Sequence, residues 1–260
     1  MIDLALEVAR EAGALLLERF GRLTGAEIAR KGPRDLVTSA DKDAEAHVVR
    51  RLSEAFPDHA IVAEEGARRA SLDGRPAWFV DPLDGTTNFV HGIPVFAVSI
   101  GYVEEGRPRL GVVHAPALGK TWWGGPGQGA WEDDRPVSVS ATPMLSEALL
   151  ATGFAYDVDR LPDDNLDNLA SLARRARGIR RLGSAAIDLA YVAAGHFDGY
   201  WELHLNPWDV AAGAALVLAA GGRITDFRGG EDYLHGRHLV ATNGILHDEL
   251  RAGLRPLRAL

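Results

Sequence analysis

The chain has 260 residues, 47% of them hydrophobic and 25% charged, a balance that belongs to globular proteins with a packed core. No apolar run reaches the ~18 residues a membrane span needs, and the absence of cysteine excludes disulfides and thiolate zinc sites. A formal net charge of −8 argues against a nucleic-acid-binding surface as the main function, and any anionic ligand must then find a local positive element.

The first segment, "MIDLALEVAREAGALLLERF", carries early acids and no small-residue cleavage site, so it does not read as a signal peptide, and a cytoplasmic setting is expected. Its leucines, valine and alanines fall at helical spacing over residues 2–20, with Gly21 as the stop. A second helix is predicted from about Asp41 to Phe56, with Thr38 and Asp41 at capping-box spacing and Pro57 ending it. "AIVAEE" reads as a short buried strand that ends on Glu64 and Glu65, "RRASLDGR" as a polar loop, and "AWFVD" as another buried strand. From Val95 to Val139, β-rich runs broken by Gly, Pro and acidic turns predict an antiparallel meander. Beyond Ser146, strands and helices alternate. "ALLATGF" is a strand, Asn165–Arg177 a helix, and "GSAAIDLAYVAAG" a helix capped by Ser184 and stopped by Gly195. "DGYWEL" is a strand, "WDVAAGAALVLAAGG" a helix, and "RITD" and "HLVATN" are strands. The expected form is two αβ halves packed together, residues 1–140 and 141–260, acting as one unit.

Three apolar segments end on acids: "IVAEE", "WFVDPLDG" and "YWELHLNPWD". Strand ends in αβ proteins are common ligand sites, because loops converge there over a rigid sheet. If these ends meet, Glu64, Asp81, Asp84 and Asp209 form one carboxylate cluster whose mutual repulsion a hard divalent cation would relieve. An all-oxygen donor set points to Mg²⁺, Mn²⁺ or Ca²⁺ rather than zinc. Pro82 holds Asp81 extended, Gly85 permits positive φ or close backbone approach, and Thr86-Thr87 opens a helix whose free N–H groups suit a phosphate. No Lys or Arg occurs between Arg75 and Arg107, so a phosphate here would depend on metal and backbone. Two mechanisms compete. Asp81 could be a nucleophile that forms an aspartyl-phosphate, although the spacing is D-x-x-D-G-T rather than D-x-D-G-T. Otherwise the acids hold cations that activate water directly. An EF-hand loop, a Walker A sequence and a G-x-S-x-G elbow are all absent.

"WFVDPLDGTTNFVHG" and "WDVAAGAALVLAAGG" resemble the two signatures of the inositol monophosphatase family, and "DLVTSADKDAE", "FPDHAIVAEE" and "RLGSAAIDLAYVAAGHFDGYWE" fit it in the same order over nearly the whole chain. The resemblance implies a layered αβαβα sandwich of the inositol monophosphatase and fructose-1,6-bisphosphatase type. It implies Mg²⁺-dependent, lithium-sensitive phosphomonoester hydrolysis on a small phosphorylated polyol, in a homodimer. Carried over by motif, Glu64, Asp81 and the Leu83 carbonyl resemble one metal site, Asp81, Asp84 and Asp209 a second, and Glu64 faces a third. Thr86 and Asp41 resemble the pair that orients the attacking water, and Gly85 and Thr86 the backbone donors to phosphate. Gly183, Ser184, Ala185 and Glu202 resemble the contacts to the alcohol. Lys31 lies in the loop where members carry a lysine near the third metal, and Glu65 resembles a supporting group behind the ligands. The implied mechanism is in-line attack by a metal-activated water without a covalent intermediate. Other substrates of the superfamily (fructose 1,6-bisphosphate, histidinol phosphate, NADP, 3′-phosphoadenylate) would be distinguished by Asn206 and the loop 66–75. Some bacterial relatives act on the transcription machinery, which gives a second class of function.

Outside these motifs, His91 is expected to pack or orient a neighbour rather than bind metal, and Trp208 to fix the helix that carries Asp209. "RRARGIRR", Arg174 to Arg181, reads as a solvated helix end, with dimer contact or recognition of an anionic substrate as alternatives. Lys31, Lys42 and Lys120 are the only lysines and Gln128 the only glutamine, which fits a thermophile and a GC-rich genome equally.

Overall fold

The computed structural model describes residues 1–32, 34–66 and 74–257. The polar loop expected at 68–75 and the substrate-selecting loop expected at 66–75 therefore fall largely outside the described residues.

In chain order the helices and strands are α1 (Ile2–Arg19), β1 (Ile28–Arg30), β2 (Leu36–Thr38), α2 (Ser39–Ala55), β3 (Ala60–Ala63), β4 (Ala77–Asp84), α3 (Thr86–Val90), β5 (Ala97–Glu104), β6 (Arg107–Ala115), β7 (Lys120–Gly125), β8 (Gly129–Glu132) and β9 (Arg135–Val137). They continue with β10 (Leu149–Thr152), α4 (Leu166–Ala173), β11 (Gly178–Arg180), α5 (Ala185–Ala193), β12 (Gly199–Leu203), α6 (Pro207–Ala219), β13 (Arg223–Thr225), β14 (His238–Thr242) and α7 (His247–Ala252). A seven-stranded sheet runs β3-β4-β5-β6-β7-β8-β9, and a five-stranded sheet runs β11-β10-β12-β14-β13. The β5–β9 meander is antiparallel, as its turn spacing requires.

Apolar periodicity sorts the helices into layers. The small and branched face of α1 (Ala5, Val8, Ala9, Ala12, Leu16) and that of α2 (Ala44, Val48, Leu52) pack on Trp78, Val80, Val98, Ile100 and Val112 of the large sheet. On its other face lie α5 and α6, which in turn contact the smaller sheet. Helix α6 is apolar all round, as a helix buried between two sheets must be. It approaches so closely that a Cβ on Gly111 would stand 2.1 Å from the Ala212 carbonyl oxygen. On the far side of the smaller sheet, Leu172 of α4 and Leu250 of α7 pack on Leu150, Trp201 and Val240. The order helix–sheet–helix–sheet–helix is the αβαβα sandwich that the family resemblance implied. Residues from both sides of position 140, such as Phe79 and Val113 with Leu189 and Leu216, share the core around α5 and α6. Among the described residues no helix is long and apolar enough to cross a membrane.

Three expectations need correction. Strand β4 continues through Asp84 rather than ending at Asp81. The helix expected over Asn165–Arg177 stops at Ala173, and Asn165 sits outside it at φ 67° as the N-cap. Arg174 to Arg181 is therefore not a helix end: it turns and then forms the edge strand β11, because Gly178 and β-branched Ile179 pair beside Leu149 and Leu150. The β1–β2 hairpin and α7 are too short to leave a periodic signal.

Candidate active site

The three acid-tipped segments meet. A cleft of about 540 Å³ is lined by Glu64, Asp81, Leu83, Asp84, Gly85, Thr86, Gly183, Ser184, Ala185, Glu202 and Asp209, together with groups from other loops. Local backbone geometry puts Asp81 and Asp84 on the same side. In a regular strand side chains alternate, so residues three apart would face opposite ways. Here the register slips: Asp81 pairs with Ser99 but Asp84 with Ala97, so three steps of β4 span two of β5. Pro82, which has no N–H to give to the ladder, sits inside this bulge. Gly85 follows at φ 96°, with a would-be Cβ 2.9 Å from the Val95 carbonyl, so only glycine fits where the chain turns into α3.

Each acid is fixed by a nearby donor. The backbone N–H of Leu83 donates to Asp81 Oδ1 at 2.9 Å. Asp84 Oδ2 accepts from the Ser184 hydroxyl at 2.7 Å and from the Ala186 N–H at 2.6 Å, tying β4 to the start of α5. Asp209 Oδ2 accepts the Asn206 N–H at 2.7 Å in the capping box of α6. Asn206 thus has a capping role as well as a place on the cleft wall. The peptide N–H of Glu64 reaches the Val80 carbonyl at 3.2 Å, and its carboxylate lies 3.0 Å from Lys31 Nζ. Lys31 also pairs with Glu65, whose N–H donates to the buried Glu45 Oε2 at 2.6 Å. Asp41, 1% exposed, lies behind the wall and accepts the Thr86 hydroxyl at 3.1 Å.

Burial first, and then Glu64, Asp84 and Asp209, push Asp81 well above the usual carboxylate range. Burial pushes Glu64 up to about 7 against the pull of Lys31. Asp209 is raised well above its ordinary value by burial and then by Glu64. Asp84 is raised less freely, because Ser184 and backbone donors oppose its burial. Glu202, which takes the Tyr200 hydroxyl, is pushed to about 7 by burial. Among the described residues no three His, Asp or Glu side chains stand gathered in a closed coordination sphere. The donor set nevertheless fits hard divalent cations. It is all oxygen, the neighbouring acids of the set raise the pKa of Asp81 and Asp209, and among the described residues only Lys31 forms an ion pair with any of the four.

Lys31, Glu65 and Asp41 are not among the residues that line the cleft, a place compatible with the supporting roles expected of them. Some placements differ from expectation. His91 is exposed at the end of α3, neither packed nor in the cleft. Trp208 is half-buried against the core at the head of α6, where it was expected. The cleft is not devoid of basic groups: Arg34, Arg160, Arg181 and Arg237 reach it from other loops, beyond the segment whose lack of Lys and Arg suggested otherwise. The sequence motifs did not single out Asp188, a cleft-lining acid that is 1% exposed, although an acid inside the apolar stretch "AAIDLAYVAA" was a visible signal. Tyr156 and its loop, which form another wall, carry no such signal.

The sequence model described as "Inositol monophosphatase family" matches residues 1–258. A Synechocystis sp. protein named inositol-1-monophosphatase is 42% identical over 254 residues, covering 97% of this chain and 88% of its own. A Pseudomonas aeruginosa protein named Nus factor SuhB is also 42% identical, over 98% of this chain and 96% of its own. The solved structure of an inositol monophosphatase from Anabaena (Nostoc) sp. superposes with a TM-score of 0.88 at 41% identity, covering 97% of this chain and 94% of its own.

Proposed function

The chain belongs to the inositol monophosphatase family and is a phosphatase, and from that premise we propose that it is a Mg²⁺-dependent phosphomonoesterase that converts inositol monophosphate and water to inositol and inorganic phosphate. The observation that carries this is the meeting of Glu64, Asp81, Asp84 and Asp209 in one cleft, backed by the Asp41–Thr86 pair.

Two or three Mg²⁺ or Mn²⁺ ions, held by Glu64, Asp81, the Leu83 carbonyl, Asp84 and Asp209, would supply Lewis acidity toward water, phosphate and the departing alcohol. The protein does the positioning. Asp41 Oδ1 at 3.1 Å and the Leu83 carbonyl at 3.0 Å are the two acceptors for the Thr86 hydroxyl, and donation to Asp41 leaves a lone pair of Thr86 Oγ for the attacking water. Gly85 and Thr86 offer backbone N–H groups to the phosphate. Gly183, Ser184, Ala185 and Glu202 face the alcohol half. Lys31 and Glu65 hold Glu64 in place through the ion pairs described above. Water attacks phosphorus opposite the ester oxygen, the P–O(ester) bond breaks, one proton of that water stays on the product phosphate, and the other reaches the alkoxide by relay through water beside Asp209. Positioning and charge stabilisation carry most of the rate.

A panel of phosphomonoesters assayed with Mg²⁺, with and without lithium, tests this. Inositol 1-phosphate should be turned over best and lithium should inhibit. Preference for fructose 1,6-bisphosphate, histidinol phosphate, NADP or a 3′-phosphoadenylate would move the substrate within the same chemistry, and no Mg²⁺-dependent release of phosphate from any of them would overturn it. The proposal includes a cytoplasmic homodimer; sedimentation velocity tests the dimer. The relative named a Nus factor favours a second role, as a partner of the transcription machinery, and a pull-down with RNA polymerase tests that role.

A further inference from the structure

Asp188 lies in the middle of α5, one helical turn beyond the Ser184 cap and on the same face. Every other side chain of α5 from Ala185 to Ala190 is apolar and buried. Asp188 is as buried as they are, 1% exposed, yet it lines the cleft. Its Oδ1 has no hydrogen-bond partner, and the carboxyl enters no ion pair with the described residues. Nothing in the packing of α5 calls for an acid, because its other buried side chains are apolar and an apolar side chain here would not have to be stripped of water. An unpartnered carboxyl held at such a cost and opening on a ligand cleft is a polar group kept for something that binds there.

The chemistry of that ligand follows from what surrounds it. Glu202 and Asp84 act on Asp188 from the carboxylate side and the exposed Arg181 from the cationic side. Asp84 is engaged by Ser184 and Ala186, and Glu202 accepts from Tyr200, whereas Asp188 is the acid of this wall with a fully buried oxygen that has no hydrogen-bond partner. A carboxyl in that position takes hydrogen bonds from hydroxyl groups, and beside Glu202 it favours a neutral, hydroxyl-rich leaving group. Resting on the function proposed above, we propose that Asp188 is a specificity-determining binding residue that accepts a hydroxyl of the alcohol half of a polyol phosphate.

The test compares the wild-type protein with Asp188→Leu, Asp188→Ala and Asp188→Asn on two esters in the presence of Mg²⁺: inositol 1-phosphate, which has ring hydroxyls, and phenyl phosphate, which has none. The readout is the ratio of kcat/KM for the first to kcat/KM for the second. In Asp188→Leu this ratio should fall at least about tenfold, because a hydroxyl accepted by a buried acid loses its partner. Asp188→Ala, which asks the core to hold fewer atoms, should show the same fall if the leucine variant packs badly. Asp188→Asn keeps an accepting oxygen and should return the ratio to within about threefold of wild type. A ratio unchanged in the leucine and alanine variants, whatever the absolute rates, overturns the proposal and leaves the phosphatase function standing: the carboxyl then holds only a buried water. A wild-type protein that hydrolyses neither ester overturns the function itself and this proposal with it.

Discussion

Thr86 Oγ stands 3.1 Å from Asp41 Oδ1, and the two residues are 45 positions apart. The other oxygen of Asp41 accepts the Thr38 N–H at 2.9 Å, so one buried carboxylate both caps α2 and orients a hydroxyl on the cleft wall. Asp41→Asn can keep only one of these jobs. If its amide oxygen caps the helix, its NH₂ faces Thr86, whose hydroxyl then accepts from it and gives its own proton to the Leu83 carbonyl 3.0 Å away. Turnover in Asp41→Asn should fall about 10²-fold with KM nearly unchanged, while the lost or weakened cap costs roughly 1 kcal/mol of stability. Wild-type kcat in this variant would remove Asp41 and Thr86 from the water-orienting role.

Glu64, Asp81, Asp84 and Asp209 are held with raised pKa values chiefly because they are buried, and for three of them because they crowd. For acids the sign is clear. A folded pKa above the unfolded one means that the folded state binds the extra protons, so stability is present at low pH and is lost as pH rises through the folded values, about 7 for Glu64. Protein stripped of metal should therefore gain stability relative to the Mg²⁺-loaded form as pH falls from 8 to 5. At neutral pH, Mg²⁺ at ~100 times its Kd should add about 2.7 kcal/mol, or roughly 5–10 °C in Tm. Asp209→Asn should lose most of that shift yet be no less stable than wild type without metal. A full Mg²⁺ shift in Asp209→Asn, read by calorimetry, would argue that the cation binds elsewhere.

Asp81 is hydrogen-bonded to Leu83 within its own bulge and flanked by other acids. That setting suits a cation ligand better than a nucleophile, which must present a free oxygen to phosphorus. Hydrolysis of a phosphate ester made chiral at phosphorus should proceed with inversion, the outcome of one direct displacement. Retention would mean two displacements and restore the aspartyl-phosphate route.

Legibility in the sequence followed the range of the interaction. The capping boxes of Thr38–Asp41 and Asn206–Asp209, and the Ser184 cap, are contacts a few residues apart, and residue type and spacing alone reveal the first of these and the last. The alternation of helices and strands followed from apolar periodicity, and the layering was implied by the resemblance to the inositol monophosphatase family. The bulge that turns Asp81 and Asp84 to one side was hinted at by Pro82 but not determined by it, because a bulge is a relation to β5 as much as a property of β4. Arg34, Arg160 and Arg237 come from loops with no periodic signal. The isolation of Asp188 exists only in three dimensions, since a lone acid in an apolar helix is normally assumed to find a partner.

His247 offers a test of the core far from the chemistry. It is wholly buried at the start of α7, between Thr225 and Thr242. Gly244 N–H donates to Thr242 Oγ at 3.1 Å, which leaves the Thr242 hydroxyl proton for His247 Nδ1 at 3.0 Å. Thr225 gives its own proton to the Asp226 carbonyl at 2.7 Å and so receives Nε2–H at 2.9 Å. These contacts accommodate a neutral ring that carries its proton on Nε2. Burial, helped by Arg223, holds the pKa down to about 4. Because the unfolded chain takes up this proton near 6.5, stability is full above that value and declines as pH falls toward 4. At about 1.36 kcal/mol per pH unit, the loss reaches at most about 3 kcal/mol. His247→Gln should flatten the acid limb of stability against pH measured by urea unfolding, and the His247 Cε1–H resonance should stay at its neutral position down to pH 5. A resonance that titrates near 6.5 would show the ring to be free of this network.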